Sequence, residues 1–263
     1  MILLTLVGEI DAETIKHQNS NILGMVLLQD NYSLDLESVV RDLKSRWKLS
    51  MEDPEIKNDA MVMQINGYNI AIALIPVAIP GDEVQQTARY SYFWDNAEED
   101  IKTHQAHVIV TLMGAGKDVV AENRLFSEVV SSVMKHSNAL GLYMGSRSLL
   151  VPKEFYQYFV TIMSEENLPL YIWIHFGVRE EKGKNSIYSF GLREFGKQEM
   201  EIIDSDHPTD HLIEMMYNMI HYVVAYDVTL KDGETIGMSA SQKLKITQSK
   251  GILVDGVTLK IEY

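Results

Sequence analysis

The sequence contains no cysteine and is poor in proline and glycine. The missing thiols exclude disulfide bonds, thiol nucleophiles, iron–sulfur clusters and cysteine-ligated zinc. Six prolines and 16 glycines among 263 residues fall below average usage, which argues against long disordered tracts. With 46% hydrophobic residues, the chain has enough apolar material for one large domain or for two closely packed smaller ones.

Basic residues are also scarce. The chain has 23 Lys and Arg against 37 Asp and Glu, for a formal net charge of −14. Such a surface repels phosphate backbones and anionic lipid headgroups, so we expect neither a nucleic-acid partner nor a membrane partner. The same charge favours a basic protein as the partner.

Long hydrophobic runs are absent. Residues 1–10 are apolar but lack the basic segment and the cleavage site of a signal peptide, and they are too few to span a bilayer. We therefore interpret them as a buried strand and expect a cytoplasmic protein.

Hydrophobic periodicity gives the element order of the first part of the chain. Residues 22–29 and 107–113 read as buried strands, and 34–47 carry the stripe of an amphipathic helix. Asn66-Gly67 predicts a tight hairpin between two strands, because both central residues of a type I′ turn need positive φ. A helical region over 82–105, interrupted near residues 94–96, completes a βαββαβ order, which is typical of a ferredoxin-like unit.

The second part of the chain suggests a similar arrangement. A helix over 118–136 is followed by alternating strand and helix patterns, of which the helix over 208–224 has the clearest apolar stripe. The predicted fold class is α+β, with two ferredoxin-like (split βαβ) halves packed as one unit and joined by the 118–136 helix. The halves divide as residues 1–116 and 117–263, with one continuous domain as the alternative.

Three stretches carry a family resemblance. They are residues 92–94 (YFW) with 104–111 (HQAHVIVT), residues 191–196 (GLREFG) leading into 199–202 (EMEI), and residues 232–237 (DGETIG). Together the stretches resemble a bacterial family of domains of unknown function numbered 4261, over roughly residues 76–263. The resemblance implies bacterial origin and a shared fold, and it assigns no chemistry.

His104-x-x-His107 is the sharpest local pattern. On a helix, this spacing would place both imidazoles on one face, as a metal site requires. The predicted elements instead put His104 at a helix end and His107 at a strand start, which directs the rings apart. A histidine near a helix C-terminus is also explained by the orphan carbonyls there. We favour this structural interpretation.

Glu199-x-Glu201 places two carboxylates on one face of a predicted strand. Paired carboxylates can share a proton or hold a hard cation such as Mg²⁺ or Ca²⁺. Met200 and Ile202 would then face the core. Such alternation is typical of any half-exposed antiparallel strand, which is the interpretation we favour.

Other local patterns are incomplete. Residues 114–117 (GAGK) lie between a strand and a helix but lack the length and the Ser or Thr of a phosphate loop. Residues 145–148 (GSRS) lack the nucleophile elbow of a serine hydrolase. His211 and Glu214 lie three apart on a helix, a zinc-compatible pair that a solvated first turn explains equally well.

Three functions remain open, and we assign no catalytic residue and no cofactor. The favoured one is a non-catalytic binding or protein-interaction module whose partner is a basic protein or a small molecule. The first alternative is a metal-dependent hydrolase that draws on His104, His107, His175, His211, Glu199 and Glu201. The second is a small-molecule sensor with a pocket between the halves, lined by Trp94, Trp173 and Tyr188. The candidate ligand-binding residues are Trp94, His104, His107, Glu199 and Glu201.

Overall fold

The computed structural model describes residues 20–30, 34–237, 239 and 242–263. The strand predicted over 1–10 lies outside the described residues. The helices are α1 (Leu36–Ser45), α2 (Glu83–Ala88), α3 (Ala97–Asp100), α4 (Val119–Lys135), α5 (Lys153–Thr161) and α6 (Thr209–Ala225). The strands are β1 (Ser20–Leu28), β2 (Glu55–Lys57), β3 (Ala60–Ile65), β4 (Tyr68–Ile75), β5 (Ala106–Ala115), β6 (Ala139–Met144), β7 (Leu149–Pro152), β8 (His175–Glu181), β9 (Lys184–Phe190), β10 (Met200–Ser205), β11 (Thr235–Ile236), β12 (Leu244–Lys250) and β13 (Val257–Ile261).

The first sheet is antiparallel and runs in the order β2-β3-β4-β5-β1-β6-β7. β1 lies inside this sheet, and its Met25 is opposite Ile109 of β5 on one side and opposite Tyr143 of β6 on the other. Asn66 and Gly67, at φ 50° and 82°, form the predicted turn between β3 and β4. The helical region predicted over 82–105 divides into α2, α3 and a single 3-10 turn, with the break near Trp94.

The first sheet is covered on both faces around the C-terminal part of β1, whereas β3 leaves one face exposed. Side chains alternate across a strand, so Val26 and Leu28 of β1 face the main core, to which α1, α4 and α5 contribute. Leu27 faces the opposite way, into a smaller core that contains Val84 of α2 and Ala97 of α3. Val26, Leu27 and Leu28 of β1 are therefore buried on both sides of the sheet.

The second sheet runs in the order β11-β12-β13-β10-β9-β8. β10 pairs parallel with β13 and antiparallel with β9. The predicted stripe of α6 is confirmed, since its buried residues are Leu212, Ile213, Met215, Met216, Met219, Ile220, Val223 and Val224. These side chains join the same main core as the helices of the first sheet.

The α+β class is confirmed, but the ferredoxin-like halves are not. β6 and β7 follow the joining helix α4, yet they extend the first sheet by pairing with β1 and with each other. β6 pairs with the edge of β1 that β5 leaves free. Strands from both sides of the predicted 116/117 boundary therefore belong to one sheet. The division at 116/117 stays a prediction. None of the described helices has both the length and the apolar content that crossing a bilayer requires.

Candidate functional site

His104 and His107 anchor the loop that follows β4. The Nδ1 atom of His104 donates to the Ile101 carbonyl at 2.5 Å, and its Nε2 atom accepts from the Ile79 amide at 3.2 Å. His107 donates through Nδ1 to the Val77 carbonyl at 2.9 Å. Burial lowers the pKa of His107, against the raising effect of this hydrogen bond. Both imidazoles therefore form hydrogen bonds with backbone groups, in agreement with the structural interpretation of the pattern.

Glu199 lies just before β10 and is fully buried. Its carboxylate accepts from the amides of Gly191, Leu192 and Arg193 at 2.9 to 3.2 Å, and from the Ser189 hydroxyl at 2.7 Å. Burial raises the pKa of Glu199, although the hydrogen bonds act in the opposite direction. The carboxylate caps the 3-10 turn over Leu192–Phe195.

Glu201 serves a different loop. Its Oε1 atom accepts from the amides of Ile252, Leu253 and Val254 at 2.5 to 3.2 Å. Its Oε2 atom accepts from the Thr258 hydroxyl at 2.6 Å and lies 3.1 Å from Nζ of Lys260. Burial would raise the pKa of Glu201, but these donors outweigh it and lower the pKa.

The expectation of a half-exposed strand face at these two glutamates is wrong. Glu199 and Glu201 are both buried, while Met200 and Ile202 are buried as predicted. β10 lies inside its sheet, between β9 and β13, and loops close over the carboxylates. Each carboxylate is held by protein donors, so the two do not form a shared site.

Glu122 of α4 repeats the arrangement. Its carboxylate accepts from the amides of Gly116, Lys117 and Asp118 at 2.7 to 3.2 Å, and from the Tyr68 hydroxyl at 3.0 Å. Successive amides of this kind form an anion-binding concavity. In the 114–117 segment, a protein carboxylate therefore occupies the position that a phosphate would take in a phosphate loop.

Trp94 lies in the smaller core of the first sheet. Its Nε1 atom donates to Asp100 at 2.6 Å, and its ring rests on Gly141, where a Cβ atom would lie 2.6 Å from Cζ3 of the indole. Trp173 is likewise buried and donates to the Ser127 hydroxyl at 2.8 Å. Neither tryptophan lines the cleft described below.

The candidate ligand-binding residues thus do not form one site, because they stabilise different parts of the fold. His104 and His107 hold the loop at residues 77–79, Glu199 and Glu201 hold two further loops, and Trp94 fills a core. Within the described ranges, no group of three or more histidine, aspartate and glutamate side chains is arranged to hold a metal ion. The set proposed for a hydrolase is not brought together there.

A cleft of about 530 Å³ opens between the two sheets. One wall comes from α2 and from the β6–β7 connection, and the other comes from β8, β9 and the loop before β13. The lining residues are Glu83, Gln86, Thr87, Tyr90, Tyr143, Gly145, Ser148, His175, Tyr188, Phe190, Gly251, Ile252, Leu253, Val254 and Asp255. The volume is within the range of small-molecule sites.

The register of β8 and β9 builds the second wall. His175 pairs with Phe190 and Gly177 pairs with Tyr188, so these residues share one face of the hairpin. The alternate residues Phe176 and Ile187 are buried in the main core. Gly177 is required here, because a Cβ atom at this position would lie 2.0 Å from Cζ of Tyr188.

His175 is a buried histidine on the wall of the cleft. Its side chain is 6% exposed, and its ring centroid lies 5.8 Å from that of Tyr188. Its ring nitrogens have no hydrogen-bond partner among the described residues, so they are available to bind a ligand in the cleft. Burial lowers the pKa of His175 to about 4, which makes the ring neutral at physiological pH.

On the opposite wall, the Tyr143 hydroxyl lies 3.5 Å from Oε2 of Glu83. Burial, followed by the negative charge of Glu83, raises the pKa of Tyr143. Burial, followed by the nearby Tyr90, also raises the pKa of Tyr188. A general acid or base works best when its pKa is close to the operating pH. His175 lies well below neutrality and the tyrosines lie above it, so these groups are suited to hydrogen bonding rather than to proton transfer.

The low pKa of His175 predicts a specific pH dependence. In the unfolded chain this histidine is protonated below pH 6.5, its ordinary pKa. In the folded state it is protonated only below about pH 4. Stability is therefore complete above pH 6.5 and falls as the pH is lowered through this window, by on the order of 3 kcal/mol for this group. Urea unfolding of the wild type and of His175→Gln at several pH values measures the effect. The wild type should lose stability relative to the variant between pH 6.5 and 4, and a constant difference would contradict the prediction.

The cleft lies between the two sheets, whereas the sequence suggests a pocket between the halves 1–116 and 117–263, which stays a prediction. Tyr188 was expected in a pocket and lines one, whereas Trp94 and Trp173 do not. Tyr143 and Glu83 carry no signal in the sequence, since they come together only when β6 and α2 pack. The sequence suggests His175 only as a candidate metal ligand, and its position on the wall of the cleft depends on the fold.

One segment of the chain is similar to a known protein family. No curated protein and no solved structure matches the chain. Tyr188, Phe190 and the loop over 251–255 fall within the segment that a family matches, whereas His175 and the α2 wall precede it. The stretches at 92–94 and 104–111 lie outside that segment. Residues 188–262 match the family described as Domain of unknown function (DUF4261), which confirms for this segment the family that the sequence resembles.

Proposed function

We propose that this protein binds a small organic ligand in the cleft between its two sheets and does not convert it chemically. The observation that carries the proposal is His175, a polar ring more than nine-tenths buried that faces the cleft with no hydrogen-bond partner among the described residues. The nitrogens of His175 are not among the fully buried, unpaired polar atoms of the described residues. They are therefore accessible from the cleft, where a ligand can supply the hydrogen bond that the protein does not.

The shape and the lining of the cleft support the same proposal. The tyrosines and Phe190 supply aromatic surface. Polar atoms that can orient a ligand come from the other lining side chains, which include Glu83, Gln86, Ser148, His175 and Asp255. Most of the accessible lining is polar, so the cleft suits a small ligand that forms several hydrogen bonds and also contacts the aromatic rings. Binding without turnover is favoured because burial lowers the pKa of His175 and raises the pKa values of Tyr143 and Tyr188, which moves all three away from neutrality. Cytoplasmic location and bacterial origin stay predictions.

The test is a fragment screen by amide NMR on the ¹⁵N-labelled chain. Anionic, neutral and cationic compounds are added separately, and the resonances of Ser148, Tyr188 and Ile252 report on the cleft. We expect at least one compound to shift these signals saturably. The variant Gln86→Trp places an indole at the rim of the cleft from an exposed position of α2 and should abolish the response.

Glu154→Trp is the matched control. It introduces an equal side chain at an exposed position of α5, outside the cleft, and should keep the response of the wild type. The proposal is overturned if no compound shifts the cleft resonances. It is equally overturned if the compounds that do so act the same on Gln86→Trp.

A further inference from the structure

The charged groups of the cleft have one sign. Glu83 and Asp255 line it, and among the described lining residues there is no lysine and no arginine. Of the two arginines in the flanking segments, Arg147 is paired with Glu194. Arg193 donates to the carbonyl of the lining residue Asp255 and is therefore the nearest positive charge that the flanking segments place beside the cleft. The chain as a whole carries a net charge of −14. The electrostatic potential in the cleft therefore attracts cations.

Aromatic faces are the second feature of the lining. Tyr143, Tyr188, Phe190 and the more exposed Tyr90 surround the space next to His175. The face of an aromatic ring carries negative partial charge and attracts ammonium and guanidinium groups, most strongly where water is excluded. Aromatic rings combined with a carboxylate are a common means of recognising organic cations.

We infer that the occupant of the cleft is an organic cation, in which an alkylammonium or guanidinium group lies between Glu83 and the rings of Tyr143 and Tyr188. The inference rests on the proposed function and adds the chemical class of the ligand. Glu83 supplies the opposite charge at the α2 wall, the tyrosine rings supply the aromatic surface, and His175 accepts a hydrogen bond from the ligand.

The protonation of His175 agrees with this assignment. Because burial keeps the ring uncharged at neutral pH, it adds no positive charge that would repel a cation, and an unprotonated nitrogen is available as an acceptor. An anionic ligand would find hydroxyl and amide donors on the same walls, but no lysine or arginine among the described lining residues. The amides of Ile252, Leu253 and Val254, which border the cleft, already donate to Glu201.

Isothermal titration of the full chain with choline and with 3,3-dimethylbutan-1-ol tests the charge requirement. The two compounds have nearly the same shape, but only choline is charged. We expect choline to bind roughly tenfold more tightly, as a partly desolvated cation–aromatic contact implies. Putrescine and a lysine-containing peptide, titrated in parallel, distinguish a free amine from a protein side chain as the source of the cation.

Variants of cleft residues test whether choline binds in the cleft. Glu83→Gln should weaken choline binding several-fold, whereas Glu154→Gln, an exposed carboxylate outside the cleft, should leave the affinity unchanged. Tyr188→Phe keeps the aromatic face and should bind choline nearly as well as the wild type, whereas Tyr188→Leu should lose roughly tenfold in affinity.

The outcomes separate the two proposals. Equal binding of choline and its neutral analogue, or cleft binding by neutral or anionic compounds alone, overturns the cation assignment and leaves the ligand-binding function in place. If no compound of any charge perturbs the cleft, both proposals are wrong. Binding of the lysine peptide without the free amines upholds the cation and identifies a basic protein as its source.

Discussion

Replacing Glu201 by alanine is expected to lower the free energy of unfolding by about 3–5 kcal/mol, the usual cost of removing one partner from a buried charged network. The carboxylate is fully buried and accepts from the amides of Ile252, Leu253 and Val254. Its removal leaves these amides without an acceptor and leaves the ammonium group of Lys260 without its counter-charge. Chemical denaturation at neutral pH, followed by circular dichroism, measures the loss.

Two further variants show whether the hydrogen bonds are responsible. Glu201→Gln keeps one acceptor oxygen of similar shape and should lose less stability than Glu201→Ala. Glu262→Ala removes a carboxylate from the exposed pair with Lys245, so we expect a change of about 0–1 kcal/mol. Equal effects of Glu201→Ala and Glu262→Ala would show that the buried network contributes nothing, contrary to the prediction.

Local structure was predictable wherever short-range physics decides it. The apolar stripes of α4 and α6 appear at helical spacing, and Asn66-Gly67 fixes its hairpin because both residues need positive φ. The sheets were not predictable in the same way. Nothing in the periodicity of β6 shows that it pairs with β1 across more than a hundred intervening residues, since strand pairing is non-local.

The candidate site shows the same limit. The sequence singled out His104, His107, Glu199 and Glu201 as unusual polar residues, and all four are buried. Their hydrogen-bond partners, however, are mostly backbone amides and carbonyls of loops, which have no signature in a residue pattern. The cleft depends on the packing of one sheet against the other, so its lining residues come from segments that are far apart in the chain.

Replacing Arg147 by alanine is the second change with a large expected effect. Arg147 is buried and joins three segments, donating to Asn123 of α4 at 2.8 Å, to the Trp173 carbonyl at 3.1 Å and to Glu194 at 2.6 Å. Its guanidinium also lies 5.3 Å from the ring centroid of Phe195. Trp173 and Glu194 belong to the turns that flank the β8–β9 hairpin, so Arg147 connects the first sheet to the second.

We therefore expect Arg147→Ala to lower the free energy of unfolding by about 3–5 kcal/mol, because the buried acceptors lose their donor and a cavity forms. Hydrogen exchange should also accelerate selectively in residues 191–197, since Glu194 and Phe195 lose their contacts. Arg147→Lys retains the charge but not the planar set of donors and should be intermediate. Arg179→Ala removes an exposed arginine from β8 and should change stability by less than about 1 kcal/mol. If exchange in residues 191–197 stays protected while global stability falls, Arg147 supports the core of the first sheet alone and does not hold the two sheets together.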